Sequence, residues 1–319
     1  MNILLLGKNG QVGWELQRSL SPLGTVTALG RQGGFTADGQ PLCGDLTDLE
    51  GLARTVRTLR PDVIVNAAAH TAVDKAESEP ELARCLNAQA PTVLAREAAA
   101  LGAWLVHYST DYVFDGSGTQ PWRETDATGP LGVYGQTKLE GERGIAASGC
   151  RHLIFRTSWV YAARGGNFAK TMLKLAKDRE RLTVINDQFG APTGADLIAD
   201  VTAHAIRQIK PQLNTTATEA GATTDSNDAA SLSGIYHLVA SGVTTWFDYA
   251  NHVLGLDAQG GFAPGLTVKE VAPVPSTAFV TTAKRPHNSR LSTAKLQQAF
   301  GLTLPAWQQG VNRMLAEIV

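Results

Sequence analysis

The chain has 319 residues, and its 28 basic and 29 acidic side chains leave a formal net charge of −1. Such a balance argues against a nucleic-acid partner, and no apolar run approaches the length of a membrane span. The three cysteines are widely spaced without a Cys-x-x-Cys pair, and the start "MNILLLGKNG" lacks the pattern of a secretory signal, so we expect reduced thiols and a cytoplasmic protein.

The first half of the chain alternates short apolar runs with amphipathic segments. The runs predict strands at residues 2–6, 25–29, 61–68, 103–110 and 152–159, and the segments predict helices at 11–20, 49–60, 79–101 and 134–148. Strands that alternate with helices are typical of βαβ units, and strands without polar alternation fit a sheet that is covered on both faces. The sequence therefore predicts an α/β protein with a doubly wound parallel sheet.

Beyond residue 160 the pattern is less regular. Helices are expected at 167–178, 196–210, 245–256 and 305–317, and short strands at 182–185, 235–239 and 267–272. We interpret residues 1–160 as the sheet domain and residues 161–319 as mainly a smaller C-terminal α/β substrate lobe, partly assembled on the edge of the first sheet. The segment 212–233 is poor in apolar residues, and we expect a mobile surface insertion there.

A glycine-rich turn, "GKNGQVG", follows the first predicted strand and opens the first predicted helix. Gly7, Gly10 and Gly13 would permit a sharp turn, a close approach of backbone to a pyrophosphate, and close packing of the helix on the strand. The helix N-terminus would then present unpaired N–H groups to the phosphates. A plain tight turn is the alternative, but the strand and the helix around the glycines favour a dinucleotide site.

The end of the second predicted strand bears on the choice of dinucleotide. An acidic residue there would bind the ribose hydroxyls of NAD, whereas an arginine suits the additional phosphate of NADP. This chain has Gly30 followed by Arg31, which favours NADPH over NADH, although Arg31 could equally be a solvated surface charge. Asp45, in "CGDL", is a candidate for an adenine contact.

A second constellation follows the fourth strand. Thr110 lies in "YSTDYVF" at the C-terminal end of that strand, where an open parallel sheet binds its ligands. Tyr134 and Lys138, in "VYGQTK", are four residues apart at the start of the next helix and would share one face. Such a pair is common on helix surfaces, but its combination with the glycine turn and Thr110 favours catalysis.

Together these three side chains suit the reduction of a carbonyl group. A free phenol has a pKa of about 10, too high for easy proton exchange at neutral pH. A cationic Lys138 would lower the pKa of Tyr134, so that Tyr134 could protonate the oxygen as hydride arrives from a nicotinamide. Thr110 would orient the carbonyl group.

The motifs resemble those of the short-chain dehydrogenase/reductase superfamily, in its extended branch that modifies nucleotide sugars, and more narrowly the dTDP-4-dehydrorhamnose reductase family. The resemblance runs nearly end to end and rests on "GKNGQVGWELQ", "NAAAHTAVDKAE", "HYSTDYVFDG", "VYGQTK", "FRTSWVY", "NDQFGAPTGADL", "YHLVASG" and "RPHNSRL". It implies a Rossmann-like domain and a C-terminal lobe for the nucleotide sugar. The implied reaction is NAD(P)H-dependent reduction of the 4-keto group of dTDP-4-dehydro-β-L-rhamnose to dTDP-L-rhamnose.

The resemblance also implies contacts beyond the three catalytic candidates. Thr110, Asp111 and Trp159 would contact the sugar, with the Trp159 ring as a flat apolar wall. The implied cofactor contacts, combined with those argued above, are Gly7, Gly10, Gln11, Val12, Gly13, Gly30, Arg31, Asp45, Leu46, Ala69, His70, Thr71, Tyr108, Tyr134 and Lys138. Members of the family often have Asp at the position of Gly30, and this departure supports NADPH.

The family is further associated with magnesium at a dimer contact. The corresponding positions are Glu15 and Asp196, which we interpret as surface carboxylates rather than Mg²⁺ ligands, and a homodimer is expected. Two alternatives to the dTDP-rhamnose reaction stay open: a reductase of another 4-keto-6-deoxy nucleotide sugar, and a regulatory subunit that binds NADP without catalysis.

Overall fold

The computed structural model describes residues 1–209, 232–256 and 260–318. Its strands are β1 (Asn2–Leu6), β2 (Thr25–Leu29), β3 (Gly34–Phe35), β4 (Pro41–Leu42), β5 (Val63–Asn66), β6 (Trp104–Thr110), β7 (Arg151–Thr157), β8 (Val160–Tyr161), β9 (Arg181–Ile185), β10 (Phe189–Gly190), β11 (Thr193–Gly194), β12 (Gly234–His237), β13 (Thr244–Thr245) and β14 (Glu270–Val274). Its helices are α1 (Gln11–Leu20), α2 (Leu49–Leu59), α3 (Val73–Ser78), α4 (Pro80–Arg84), α5 (Ala90–Leu101), α6 (Val133–Ala147), α7 (Phe168–Asp178), α8 (Ala195–Ile209), α9 (Trp246–Val253), α10 (Ala294–Phe300) and α11 (Trp307–Ile318).

The central sheet has six parallel strands in the order β12-β7-β6-β5-β1-β2. Side chains of consecutive strand residues point to opposite faces, and in β1 both sets are apolar. Ile3 and Leu5 join a core cluster with residues of α1 and α8, whereas Leu4 and Leu6 join a second cluster with residues of α2 and α5. Helices thus cover both faces, and the predicted doubly wound α/β fold is confirmed.

The five strands predicted in the first half all form, with ends that differ by up to two residues. The sixth strand, β12, comes from the second half of the chain and pairs with β7, at the place where the sequence predicts a strand. The predicted helix 79–101 is divided into α4, a π-helical turn at Cys85–Gln89, and α5. The sequence does not predict helices α3 and α10. Each has only six or seven residues, which is too few to show a helical repeat of apolar positions.

The second half of the chain also builds its own core. Tyr249, Trp307 and Val311 lie in a cluster formed by residues of α7, α9, α11 and β9. Helix α8, by contrast, packs against α1 and belongs to the core of the central sheet. None of the helices within the described ranges is long and apolar enough to cross a membrane. The expected insertion at 212–233 lies, except for its last two residues, outside the described residues.

Candidate active site

A cleft of about 800 Å³ opens at the carboxyl edge of the central sheet. The terminal residues of three central strands line it, namely Asn66 of β5, Thr110 of β6 and Thr157 of β7. Doubly wound sheets bind their ligands at this edge because the strand order reverses there. The topology therefore brings residues from distant parts of the chain to one site.

The glycine-rich turn forms one end of the cleft. A Cβ atom at Gly13 would lie 2.0 Å from the carbonyl oxygen of Gly7, so the helix can approach the turn this closely only without a side chain there. Gly10 is the N-cap of α1 and offers no side chain to the first N–H groups of the helix. Gln11 and Val12 line the cleft, and this uncapped N-terminus fits a phosphate group.

Arg31 and Asp45 meet at the rim of the cleft next to Gly30. The Nε atom of Arg31 lies 3.0 Å from Oδ2 of Asp45, and the Arg31 side chain is 81% exposed. Asp45 is also held by the backbone N–H of Thr47, which donates to Oδ1 at 2.9 Å. The guanidinium group of Arg31 therefore stands at the rim with most of its surface open to a ligand.

Most of the residues proposed for cofactor and sugar line this cleft. They are Gly7, Gly10, Gln11, Val12, Gly30, Arg31, Asp45, Leu46, Ala69, Thr71, Tyr108, Thr110, Asp111, Tyr134, Lys138 and Trp159. Gly13 supports the turn from behind. His70 is buried away from the cleft, where its Nε2 lies 3.4 Å from Oε2 of Glu79 and its backbone N–H donates to Asn87.

Thr110 and Tyr134 are brought together as the sequence predicts. Thr110 and Tyr134 both line the cleft, and the Thr110 hydroxyl group also donates to Oδ1 of Asp111 at 3.1 Å. Burial raises the pKa of Tyr134 to about 12, and the neighbouring Thr110 hydroxyl group acts in the opposite direction. Tyr134 is therefore a protonated phenol at neutral pH.

The surroundings of Lys138 differ from the expectation. Its Nζ donates to the carbonyl oxygen of Tyr108 at 2.6 Å and lies 3.1 Å from Nε2 of His107. Burial lowers the pKa of Lys138 to about 8. The expected lowering of the Tyr134 pKa by Lys138 is wrong for this structure, because burial of the phenol is the largest influence and raises that pKa.

A buried ion pair lies beneath the catalytic candidates. Glu142, one turn after Lys138 on α6, accepts two hydrogen bonds from Arg156, at 2.9 Å from Nε and 2.6 Å from Nη2. Ser109 donates its hydroxyl proton to the same carboxylate. Buried charges are stable only when paired and hydrogen-bonded, and this pair fixes α6 against strands β6 and β7.

Two stacked indole rings, those of Trp159 and Trp246, line part of the cleft. The rings of Trp159 and Trp246 are 3.6 Å apart with an interplanar angle of 16°, and Trp159 has a backbone φ of 50°, which is rare for a large side chain. Nearby, the hydroxyl oxygens of Thr157 and Ser158 are buried and have no hydrogen-bond partner among the described residues. These features suit a ligand with both a flat or apolar face and polar groups.

Asp111 is a buried carboxyl group beside the Tyr134 phenol. Burial raises its pKa to about 6, and its hydrogen bonds act in the opposite direction. With such a pKa the group is mainly a carboxylate at neutral pH, and a carboxylate accepts hydrogen bonds. That property fits the predicted contact with sugar hydroxyls.

The proposed magnesium positions lie elsewhere. Glu15 and Asp196 line a separate cleft of about 30 Å³, where Glu15 pairs with Arg18 and Asp196 with Arg313. Across the described ranges no group of three His, Cys, Asp or Glu side chains could hold a metal ion. Two carboxylates that are each paired with an arginine do not fit Mg²⁺, which takes oxygen ligands in octahedral geometry.

Several cleft residues were missed by the sequence analysis. Tyr112 lies edge-on to Tyr134, with ring centroids 5.5 Å apart, and Trp246 and Asn66 also line the cleft. His107 lies just below it. Asn66 is the last residue of the buried strand β5, and His107 lies inside the buried strand β6. A polar residue in an otherwise apolar strand is the signal that could have revealed them.

The fold and the cleft define a Rossmann-like oxidoreductase of the short-chain dehydrogenase/reductase type. The family model described as the RmlD substrate binding domain matches residues 1–319. The chain therefore belongs to this family.

Named relatives agree with the family. The chain is 57% identical to the dTDP-4-dehydrorhamnose reductase of Escherichia coli K12, over 100% of this chain and 98% of that protein. The crystal structure of a dTDP-4-dehydrorhamnose reductase from Clostridium acetobutylicum is similar with a TM-score of 0.81 and 32% identity, over 100% of this chain and 99% of that one. The Bacillus anthracis enzyme of the same name, in complex with NADP, is similar with a TM-score of 0.80 and 30% identity, over 99% of each chain.

Proposed function

We propose that this protein reduces the 4-keto group of dTDP-4-dehydro-β-L-rhamnose to give dTDP-L-rhamnose, with NADPH as the preferred reductant and NADH as a possible one. The observation that carries the proposal is that Thr110, Tyr134 and Lys138 line one cleft with the glycine-rich turn. The relative from Escherichia coli, 57% identical over the whole chain, carries the name of this activity.

The cleft would hold the dinucleotide between the glycine turn and Tyr108. The uncapped N-terminus of α1 would bind the pyrophosphate, and Asp45 and Leu46 would bind the adenosine. Arg31 would pair with the additional phosphate of NADPH, since a guanidinium group matches phosphate geometry. When bound, the reduced nicotinamide supplies the hydride for the keto carbon.

The residues of the chain would then handle the proton. Thr110 would hold the sugar carbonyl oxygen beside the Tyr134 phenol, and the phenolic proton would move to that oxygen as the C–H bond forms at the carbon. The product is a hydroxyl group, and a phenolate is left on Tyr134. The cationic form of Lys138, one helical turn away, would favour that phenolate by lowering its pKa at this stage of the reaction.

The sugar site would combine the end of the first domain with Trp246 of the second half. Trp159 and Asp111 line the cleft together with Trp246, and the hydroxyl groups of Thr157 and Ser158, which have no partner among the described residues, are available to the substrate. We assign residues 1–160 to dinucleotide binding and residues 161–319 mainly to nucleotide-sugar binding, with β12 and α8 returning to the first domain. The homodimer and the cytoplasmic location stay predictions.

The test is loss of NADPH absorbance, and separately of NADH absorbance, with dTDP-4-dehydro-β-L-rhamnose made by its upstream enzymes. We expect rapid oxidation, dTDP-L-rhamnose as the product, and preference for NADPH. Oxidation with a different 4-keto-6-deoxy nucleotide sugar only would identify another substrate. Binding of both dinucleotides without oxidation of either would favour a non-catalytic regulatory subunit.

A further inference from the structure

Three buried side chains form a line that begins and ends in the lining of the cleft. Asn66 at the end of β5, His107 in β6 and Lys138 in α6 are at most 2% exposed. Nδ2 of Asn66 lies 3.3 Å from Nδ1 of His107, and Nε2 of His107 lies 3.1 Å from Nζ of Lys138. We propose that Asn66 and His107 are positioning residues that hold the Lys138 nitrogen and set its proton affinity, with His107 donating from Nε2 to that nitrogen.

The orientation of the Asn66 amide is fixed at its other end. The backbone N–H of Ala68, which can only donate, lies 3.2 Å from Oδ1 of Asn66. The oxygen of the amide must therefore face Ala68, and the NH₂ group must face Nδ1 of His107. An NH₂ group has no acceptor capacity, so Nδ1 of His107 has to be the unprotonated nitrogen.

The tautomer of His107 follows from this orientation. Since a neutral imidazole has one proton, the proton of His107 resides on Nε2, which faces Lys138. Lys138 also donates to the Tyr108 carbonyl oxygen at 2.6 Å. A neutral amine satisfies both neighbours, because its lone pair accepts from His107 and one N–H donates to Tyr108. An ammonium group would place its protons against the N–H of His107.

If the two ring nitrogens of His107 exchanged their roles, two N–H donors would face each other at one of two places. If Nε2 of His107 accepted from a Lys138 ammonium group, its Nδ1 proton would face the NH₂ group of Asn66. Rotating the amide would relieve that contact but turn the NH₂ group towards the N–H of Ala68. Either way a buried donor would lack an acceptor, which costs free energy. A protonated His107 is excluded for the same reason, and burial holds the pKa of His107 well below its ordinary value.

The charged groups around Lys138 do not offset this effect. Glu142 on α6 favours the cation, but its carboxylate is engaged by Arg156 of β7 and Ser109 of β6. Tyr134 and Asp111 also line the cleft with Lys138. On the other elements packed against α6, several titratable groups have partners other than Lys138: Asp74 with Arg285, Glu77 with the N–H of Val133, Arg84 with Glu140, Glu97 of α5 with Arg57 of α2, and Cys85 with the carbonyl of Leu46. Tyr112 packs edge-on against Tyr134.

The consequence concerns the reaction under the proposed function. If the cation of Lys138 stabilises the phenolate left on Tyr134, the Asn66 and His107 pair limits the pH range in which that cation is present. Reduction should then decline on the alkaline side where Lys138 loses its proton, well below the pH at which the phenol of Tyr134 ionises. Changing the tautomer of His107 should shift the pH at which reduction declines, without altering the reacting atoms.

The direct test is the tautomer of His107 by ¹⁵N NMR of the full chain labelled at histidine, without ligands and at a pH of about 9, where Lys138, with a pKa of about 8, is mainly the neutral amine. His107→Asn assigns the signal by its absence. We expect a protonated Nε2 and an unprotonated Nδ1. A protonated Nδ1, or an imidazolium, would overturn the proposal. This measurement does not depend on turnover, so it can succeed or fail independently of the proposed function.

A variant tests the causal step. Asn66→Asp presents a carboxylate oxygen to Nδ1 of His107, so the imidazole proton should move to Nδ1. The alkaline limb of the pH profile of kcat/KM for NADPH oxidation should then shift to higher pH by about one unit or more. His107→Asn should also shift the alkaline limb to higher pH, because the imidazole N–H that faces Lys138 is lost. The matched control is His237→Asn, which removes another buried imidazole and should leave the limb in place.

A second measurement distinguishes a positioning role of Asn66 and His107 from a purely structural one. The ¹³C shift of the Lys138 side-chain Cε, assigned with Lys138→Met, should titrate at a higher pH in Asn66→Asp than in the unaltered chain, whether or not the protein turns over substrate. Folded variants in which neither the Lys138 titration nor the alkaline limb moves would contradict the proposal. If the variants do not fold, the tautomer in the unaltered chain decides it.

Discussion

Gly190 lies directly against the indole ring of Trp159. A Cβ atom at position 190 would come 2.8 Å from Cε2 of that ring, closer than real side chains approach. The other face of the Trp159 ring is stacked on Trp246 at 3.6 Å. The indole is thus held between a glycine backbone and a second indole, which explains why a glycine in the "QFGAP" segment matters for the cleft.

Replacing Gly190 with alanine should therefore push Trp159 out of position. Because overpacking forces neighbouring side chains to shift, we expect the KM for the nucleotide sugar to rise about tenfold while the affinity for NADPH changes little. Steady-state kinetics and NADPH titration measure the two. Gly166→Ala is the control, since a Cβ there meets open space, and an equal rise in KM for both variants would contradict the role of Gly190.

Arg31 should decide the preference between the two dinucleotides. Arg31→Ala removes the guanidinium group at the cleft rim and should raise the Kd of NADPH about tenfold, in line with the loss of a charge-assisted hydrogen bond. The Kd of NADH should stay nearly unchanged because it lacks the additional phosphate. Arg54→Ala, on the exposed side of α2, is the control. Equal losses for NADPH and NADH would show that Arg31 does not recognise the phosphate.

The buried pair of Glu142 and Arg156 should contribute strongly to stability. Glu142→Gln leaves Arg156, which is 3% exposed, without its counter-charge, and we expect the free energy of unfolding to fall by about 3 kcal/mol. Glu140→Gln, which affects a pair with Arg84 at the surface, should cost less than about 1 kcal/mol. Urea unfolding of both variants measures the difference, and similar losses would contradict the account of the buried pair.

Acid should destabilise the fold through buried histidine. Burial lowers the pKa of His237 from 6.5 to about 3, and the nearby Arg156 acts in the same direction. In that pH window the unfolded chain takes up a proton that the folded chain rejects, so stability decreases as the pH falls from about 6.5 towards 3. His237→Asn should reduce the slope of unfolding free energy against pH by up to about 1.4 kcal/mol per unit. An unchanged slope would contradict this assignment.

The sequence predicts those parts of the site that are built from segments adjacent in the chain. The turn at Gly7, Gly10 and Gly13 lies between a strand and a helix that adjoin it in the chain, so its geometry follows from short-range rules. Thr110 at a strand end and Tyr134 at a helix start were placed together because parallel strands end at one edge. Both were found in the cleft.

The remaining parts depend on contacts between distant segments. Trp246 stacks on Trp159 although 86 residues separate them in the chain, and no motif near Trp246 predicts that contact. The partners of Lys138 were also missed, since helical spacing relates Lys138 to Tyr134 but does not show that Nζ turns to His107 and the Tyr108 carbonyl. Burial of the phenol, which reverses the expected direction of its pKa, is likewise a property of the assembled fold.

The measurement that tests the central claim most directly is the rate of NADPH oxidation by Tyr134→Phe with dTDP-4-dehydro-β-L-rhamnose. The change removes only the hydroxyl group, so NADPH should bind as before while kcat falls by about a hundredfold or more, the usual contribution of a general acid. Tyr236→Phe, which removes a hydroxyl group that donates to Leu232 in the core, should keep its turnover. Near-normal kcat in Tyr134→Phe would contradict the proposed mechanism.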